Sequence, residues 1–173
     1  MLRPLVESDR DAYLTLLRDS REHLSRWVPL NRPGESNNEF FDRQVARTRE
    51  GDETGAVWRR VGVLEDGTII GSFHLNAITR GLTWHADAVW WVGRAWTRRG
   101  LATEGVTAML EYGLEDPPRG LGLHAVHAGI DPENTASRRL VERLCFHPDP
   151  SQRSHLLVGH EWRTHDFFVK HAA

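Results

Sequence analysis

The stretch "AVWWVGRAWTRRGLATEGVTAML", residues 88–110, changes character in its middle. Its first five residues are apolar and rich in Val and Trp, which reads as a strand. From Leu101 the pattern becomes helical, with Ala102, Val106, Met109, Leu110 and then Gly113 on one side. Arg98, Arg99 and Gly100 stand at the mouth of that helix. The first turn of a helix leaves backbone N–H groups without partners and carries partial positive charge. A loop of successive N–H donors in front of it makes a nest for phosphate oxygens. Gly100 takes dihedrals that other residues resist and lets a ligand approach the backbone. Arg98 and Arg99 add charge-assisted donors. Together these residues suit a pyrophosphate; on their own they also fit an ordinary arginine-rich turn.

The rest of the chain falls into place around this strand–loop–helix unit. "LRPLV" is a short strand, and Ser8 is a candidate N-cap for a helix whose Ala12, Tyr13, Leu16 and Leu17 share a face. "REHLSRWVPL" reads as a second, short helix ending before Pro29. Ser36 and Glu39 form an S-x-x-E capping box opening a further helix. "AVWRRVGVLE" and "TIIGSFHLNAI" flank Asp66-Gly67, a two-residue hairpin signal. With "WHADAVWWVG" they make an antiparallel meander. After the Leu101 helix come a strand, "LHAVHAGI", a helix with Asn134 at its start, and a last pair of strands, "SHLLVG" and "RTHDFFVKH". The fold class is therefore α/β (α+β): one domain over residues 1–173, with a mixed central sheet of about six to seven strands and helices on both faces. The passage from "AVWWV" through the helix to "LHAVHAGI" has the length of a parallel crossover.

Composition narrows the function. The chain has 173 residues, 27% of them charged, and a net charge of -2. That charge gives no reason to expect a nucleic-acid partner. Cys145 is the only cysteine, which excludes an internal disulfide and fits a reducing compartment. It sits in a segment that reads as core. No apolar run reaches the ~18 residues of a membrane span, and "MLRPLVESDR" lacks a signal peptide's apolar core. The expectation is a cytoplasmic protein with no membrane partner. Metal-binding spacings of His and Cys are absent, so no metal is expected, although His74 and His85 lie on adjacent strands.

The 88–110 segment resembles the acetyl-CoA loop of the GNAT acetyltransferases, whose pattern is Gln/Arg-x-x-Gly-x-Gly/Ala. Gly100 and Ala102 fill the last two defining positions, and Thr97 stands where Gln or Arg is usual. The likeness extends to the RimJ/RimL branch over nearly the whole chain. "LRPLVESDRDAYLTLL" is similar to that branch's opening, "DPENTAS" (131–137) to its signature and "HEWRTHDFFV" to its closing strand. Val89 and Cys145 occupy places where the branch often has glycine.

The resemblance implies an acetyl-CoA-dependent N-acetyltransferase that acts by direct attack in a ternary complex. Its acceptor would be a primary amine, foremost the N-terminal α-amine of a protein such as a ribosomal protein. A small-molecule amine, or a non-catalytic module that binds acyl-CoA, is the alternative. It implies that two parallel strands splay and that the pantetheine arm fills the gap. Trp91, Val92 and Gly93 would then be backbone partners of pantetheine and thioester. Arg98, Arg99, Gly100, Leu101, Ala102 and Thr103 would surround the pyrophosphate, and Asn134 would bond a pantetheine amide, cap its helix, or do both. Ser137 would protonate the departing thiolate; locally, a first-turn serine also suits backbone capping. Asp87 matches the acidic position of the branch's "A-E-I-G-Y" strand and could accept a proton through water, bind the ammonium, or sit in an ion pair. His155, four residues before the turn glycine Gly159, and His74 are further proton acceptors. Trp27, Trp84, Trp90 and Trp91 could line an acceptor cleft or belong to the core. A homodimer is implied by the branch alone.

Overall fold

A computed structural model describes residues 1–158 and 161–173; the turn glycine expected at Gly159 lies outside them. The elements run β1 (Leu2–Arg3), α1 (Arg10–Leu24), α2 (Asn37–Thr54), β2 (Trp58–Val63), β3 (Ile69–Thr79), β4 (His85–Val92), α3 (Leu101–Leu114), β5 (Ala125–Ile130), α4 (Thr135–Arg143), β6 (His147–Val158) and β7 (Glu161–His171). They form one seven-stranded mixed sheet of order β1-β2-β3-β4-β5-β7-β6. Among the described residues, only β4 and β5 pair in parallel. Every other neighbouring pair is antiparallel.

Alternation along the strands sends side chains to two separate cores. Ala86 and Ala88 of β4 join Phe73 and Leu75 under α3 and α4, where Val106, Met109, Leu110, Leu140 and Val141 close the layer. Trp91 faces the other way and packs with Tyr13, Leu17, Leu24, Phe40, Phe41 and Val45 of α1 and α2. Helices therefore cover both faces, as the sequence suggested.

Three local expectations need correction. The two N-terminal helices are one: "REHL" is the last turn of α1, because nothing between Leu17 and Arg21 breaks the helix and Ser20 is buried within it. Ser8 does not cap α1. Residues 7–9 form a 3-10 turn instead. Asp9 accepts the Val6 amide at 3.0 Å and grips Arg3 through two bonds of 2.7 and 2.8 Å, so the α-helix proper begins at Arg10. Cys145 is exposed, not core. It follows α4 at φ 57°, with its N–H on the Glu142 carbonyl and the Phe146 N–H on that of Val141. That bond pair is a Schellman ending, whose left-handed position favours glycine.

The capping box is as read: the Ser36 hydroxyl accepts the Glu39 amide at 3.2 Å and the Glu39 carboxylate accepts the Ser36 amide at 2.8 Å. The Asp66-Gly67 turn joins β2 to β3, with Gly67 at φ 88°.

Candidate functional site

The site begins where the parallel pair ends. β4 and β5 are in register at His85–Ala125, Ala86–Val126 and Asp87–His127, and no further. Beyond that point β4 stays on β3 through Val92, and β5 stays on β7 through Ile130. The two strands diverge and open a cleft of about 530 Å³ between the diverging strands and the α1–α2 side of the sheet. Among its lining residues are Ala88–Trp91, Gly129–Asp131, Asn134 and Ser137, with Trp27, Val28 and Leu156–Val158 also contributing.

Past Val92 the chain crosses to α3. Gly93 lies under α1: a Cβ there would sit 2.3 Å from Leu16 Cδ1. The Arg94 amide donates to Ser20 Oγ at 3.0 Å, which pins the crossing to the same helix. The chain then turns through Arg98 at φ 61° and Gly100 at φ 80° into α3. Among the described residues, no protein acceptor takes the amides of residues 98–103. The first intrahelical bond from this end is Glu104 N–H to the Gly100 carbonyl, 3.0 Å. Arg98, Arg99 and Gly100 are exposed. Arg99 stacks over Trp96 at 5.0 Å, and Arg143 at the end of α4 donates to Thr103 Oγ1 at 3.3 Å. Six amides without a protein acceptor thus precede or open a helix N-terminus, with Arg98 and Arg99 in the same loop and Arg143 bonded to its first turn.

α4 approaches the cleft from the far side. Asn134 caps it, its Oδ1 accepting the Ser137 amide at 3.1 Å. The Asn134 side-chain N–H₂ and the Ser137 hydroxyl have no bonded partner among the described residues, and both residues line the cleft. The "DPEN" turn ahead of α4 is held by Asp131, whose carboxylate accepts the Glu133 amide at 2.8 Å and pairs with Arg163 of β7 at 3.0 Å. Arg163 also donates to the Arg26 carbonyl and to Glu133, tying β7, the turn and the end of α1 together.

The remaining sequence candidates fall in different places. His74 and Trp27 line the cleft; Trp84, Asp87 and His155 do not. His74 is pressed down well below its ordinary value by burial and then by the charges of Arg59 and Arg47, so its imidazole is neutral at pH 7. Asp87 sits at the fork, opposite both Asn76 and His127. Burial raises its carboxyl above the usual range, against the pull of His127 and His85. His155 is exposed on β6, its Nε2 3.2 Å from Thr164 Oγ1. Trp84 lies at the β3–β4 turn, its indole N–H donating to the Gly81 carbonyl at 3.1 Å.

Two features were not foreseen: the Asp131–Arg163 bridge, and Arg59, which lies under the cleft with Gln44 and Asn76. The second had a signal. Arg59 and Arg60 are adjacent in a strand, so one of them must point inward.

The described residues contain no group of three or more His, Cys, Asp or Glu placed to hold a metal, and no helix long and apolar enough to cross a membrane.

Comparison with known proteins agrees with this geometry. The chain is 24% identical over 165 residues to a probable N-acetyltransferase, YjcK, of Bacillus subtilis, covering 95% of this chain and 89% of that protein. It is 25% identical over 162 residues to the [ribosomal protein uS5]-alanine N-acetyltransferase of Escherichia coli, covering 91% and 80%. The fold superposes on Mycobacterium smegmatis RimJ, solved in complex with CoA-disulfide, with a TM-score of 0.86 at 24% identity, covering 99% of this chain and 81% of that one. The family model of the acetyltransferase (GNAT) domain matches residues 1–147. With most of its length inside that match, the chain belongs to the GNAT acetyltransferase family and is an acyltransferase.

Proposed function

We propose that this enzyme transfers the acetyl group of acetyl-CoA to the N-terminal α-amine of a protein or peptide, by direct attack within a ternary complex. The observation that carries the reading is the opening between β4 and β5 after Asp87 and His127, with the unpartnered amides of residues 98–103 following β4 in the chain. The fit to coenzyme A rests on those unpartnered groups. A diphosphate satisfies the 98–103 amides, and an extended arm bearing amides satisfies the strand edges that the divergence exposes. When bound, acetyl-CoA supplies an activated acetyl thioester.

The chain's own residues do the rest. Trp91, Val92 and Gly93 offer backbone groups along one edge of the opening. Asn134 keeps its N–H₂ free for an amide carbonyl while its oxygen caps α4. The Ser137 hydroxyl, which lines the cleft, gives a proton to the departing sulfur. As the amine nitrogen bonds the acetyl carbon and the carbon–sulfur bond breaks, His74, neutral and in the cleft, takes the proton the nitrogen loses; Asp87 at the fork is the alternative acceptor, through water. An α-amine titrates near ~7.7–8.0, so only modest help is needed. Holding amine and thioester together supplies the larger share of the rate, on the order of 7–11 kcal/mol. Cys145 is exposed beyond α4 and does not line the cleft, which leaves it no part as an acyl carrier.

The acceptor relation draws support from the Escherichia coli relative, named for alanine acetylation of a ribosomal protein. The test is thiol release from acetyl-CoA against a panel of N-terminal peptides and of small-molecule amines. Turnover with peptides supports the proposal. Turnover confined to small amines, or coenzyme A binding without turnover, refutes it.

A further inference from the structure

The acceptor half of the cleft is strongly cationic, and its charges are not balanced. Arg32, Arg43, Arg47 and Arg59 line it, and Asp131 is the only carboxylate among the lining residues. Asp131 is taken by Arg163 at 3.0 Å, and Arg43 by Glu35 at 2.6 Å. Arg59 is 6% exposed. Its Nη1 and Nη2 donate to Asn76 Oδ1 at 3.2 Å and to Gln44 Oε1 at 2.6 Å, both neutral acceptors. Its Nε is buried without a partner among the described residues. No carboxylate lies within ion-pair distance of Arg59 or of the half-buried Arg47 among those residues. Burial and the neighbouring Arg47 charge push Arg59 down to about 10, which still leaves it fully charged at neutral pH.

A buried guanidinium without a counter-charge is costly to keep, and removing water from two of them side by side costs more. An anion in the cleft reverses that cost. We propose that Arg47 and Arg59 form a seat for an oxyanion, carboxylate or phosphate, carried by the same molecule whose amine is acetylated. The seat lies with His74 and Asn76 on the acceptor side of the sheet, away from the 98–103 amides, so it is distinct from the diphosphate seat. Resting on the peptide reading above, it assigns the acceptor an acidic side chain close to its N-terminus. The rest of the wall, with Trp27, Val28 and Leu156, is largely apolar and receives the peptide's other surface.

The experiment compares acetylation of short peptides that begin with Ala and carry Asp at the second, third or fourth position with Asn counterparts. Phosphoserine peptides are set against serine ones in the same way, which separates carboxylate from phosphate. The enzymes are the parent, Arg47→Gln and Arg59→Gln. In the parent, one charged series is preferred by about tenfold in kcat/KM, carried in KM, the worth of one charge-assisted bond. Arg47→Gln abolishes the preference, read as the ratio of kcat/KM for charged and neutral peptides within the same enzyme, so that any general change in rate cancels. Equal rates for charged and neutral peptides in the parent, or a preference that survives in Arg47→Gln, overturn the proposal.

A second readout needs no turnover and keeps the test valid if Arg59→Gln fails to fold or no peptide is a substrate. Sodium acetate and inorganic phosphate are titrated into the protein while the Nε–H resonances of its arginines are followed. A saturable shift of the Arg59 signal, lost in Arg47→Gln and unmatched at the exposed Arg18, supports the seat. No shift with either anion overturns it. Saturable binding without peptide turnover would refute the peptide acceptor while keeping the seat.

Discussion

Gly105→Ala should damage both stability and coenzyme A binding, for one geometric reason. Gly105 lies in the second turn of α3, directly over Phe73 of β3. A Cβ placed there would stand 2.2 Å from both Cε1 and Cζ of the Phe73 ring and 2.8 Å from Cε2. Phe73 is fully buried, so its ring has no open direction in which to retreat. Restoring a normal carbon–carbon separation of about 3.5 Å needs more than an ångström of movement between helix and sheet. Overpacking of this kind costs about 1–3 kcal/mol, and the severity of the overlap puts it at the upper end. Alanine returns about 1 kcal/mol through its better helix propensity, leaving a net loss of about 2 kcal/mol. The same displacement carries the first turn of α3 with it. An amide–phosphate bond stretched from about 2.9 Å by an ångström is no longer a hydrogen bond, so coenzyme A should bind about tenfold more weakly. Urea unfolding and calorimetric titration with coenzyme A measure the two effects. Gly113→Ala is the control: its Cβ would crowd the tip of Leu75 at 3.0 Å and meet Val126 and Leu123 at ordinary contact distances of 3.7 and 3.9 Å, and should cost far less. Adding Phe73→Leu to Gly105→Ala should recover part of both losses. A Gly105→Ala protein within about 0.5 kcal/mol of the parent, with unchanged affinity, refutes the reasoning.

Cys145→Gly should stabilise the protein by about 1 kcal/mol in urea unfolding, since a side chain at φ 57° strains the Schellman ending of α4 and glycine does not. Gly100→Ala should lose about 1 kcal/mol for the converse reason at φ 80° and bind coenzyme A more weakly: a Cβ there would meet Glu104 Oε1 at an ordinary 3.8 Å, so the backbone conformation is what resists it. Ser137→Ala should lower kcat by about tenfold to a hundredfold with little change in KM, read by steady-state thiol release, if its hydroxyl serves the departing sulfur. Glu35 is lowered from 4.5 to about 2 by its hydrogen bonds from Arg43, so it contributes stability that is present above 4.5 and lost as pH falls toward about 2. Glu35→Gln should therefore be less stable at neutral pH and show a shallower decline across that acid window, measured by urea unfolding at each pH.

The order of elements was readable because each local signal agreed with the next. The capping box, the Asp-Gly turn and the helical spacing from Ala102 to Gly113 all act within a few residues of themselves. What escaped the sequence depends on distant partners. Ser8 has a capping side chain, but Arg3 and the Val6 amide hold Asp9 in a tighter turn and move the helix start. Cys145 looked apolar and interior, yet the Schellman geometry turns it outward into a glycine position. The divergence of β4 and β5 came from family likeness; no residue at Asp87 or His127 announces that pairing stops there. Arg59 was passed over because a single arginine in a strand is ordinarily a surface residue. Only its pairing with Arg60, which turns the other way to meet Asp52 at 2.9 Å, marks it as the inward one.

The divergence that makes the site also makes the apo fold less well satisfied than its ligand-bound form. Among the described residues, the facing edges of β4 and β5 beyond Asp87 and His127 have no ladder partner on that side, and the amides of residues 98–103 have no protein acceptor. Such groups cost free energy wherever water reaches them poorly. A ligand able to meet both sets along one path is therefore worth more to this fold than either contact alone. Its binding must feed back into stability, by about 2.7 kcal/mol at a concentration one hundred times its dissociation constant. Because the two strands belong to different antiparallel units, β2–β3–β4 on one side and β5–β7–β6 on the other, the only direct strand pairing between the two halves among the described residues is the three-residue register at the fork. α3 is the chain connection that spans them, and its first turn holds the seat proposed for the diphosphate. A ligand lying along the gap thus braces the two halves of the sheet through the same helix that Gly105 holds against Phe73.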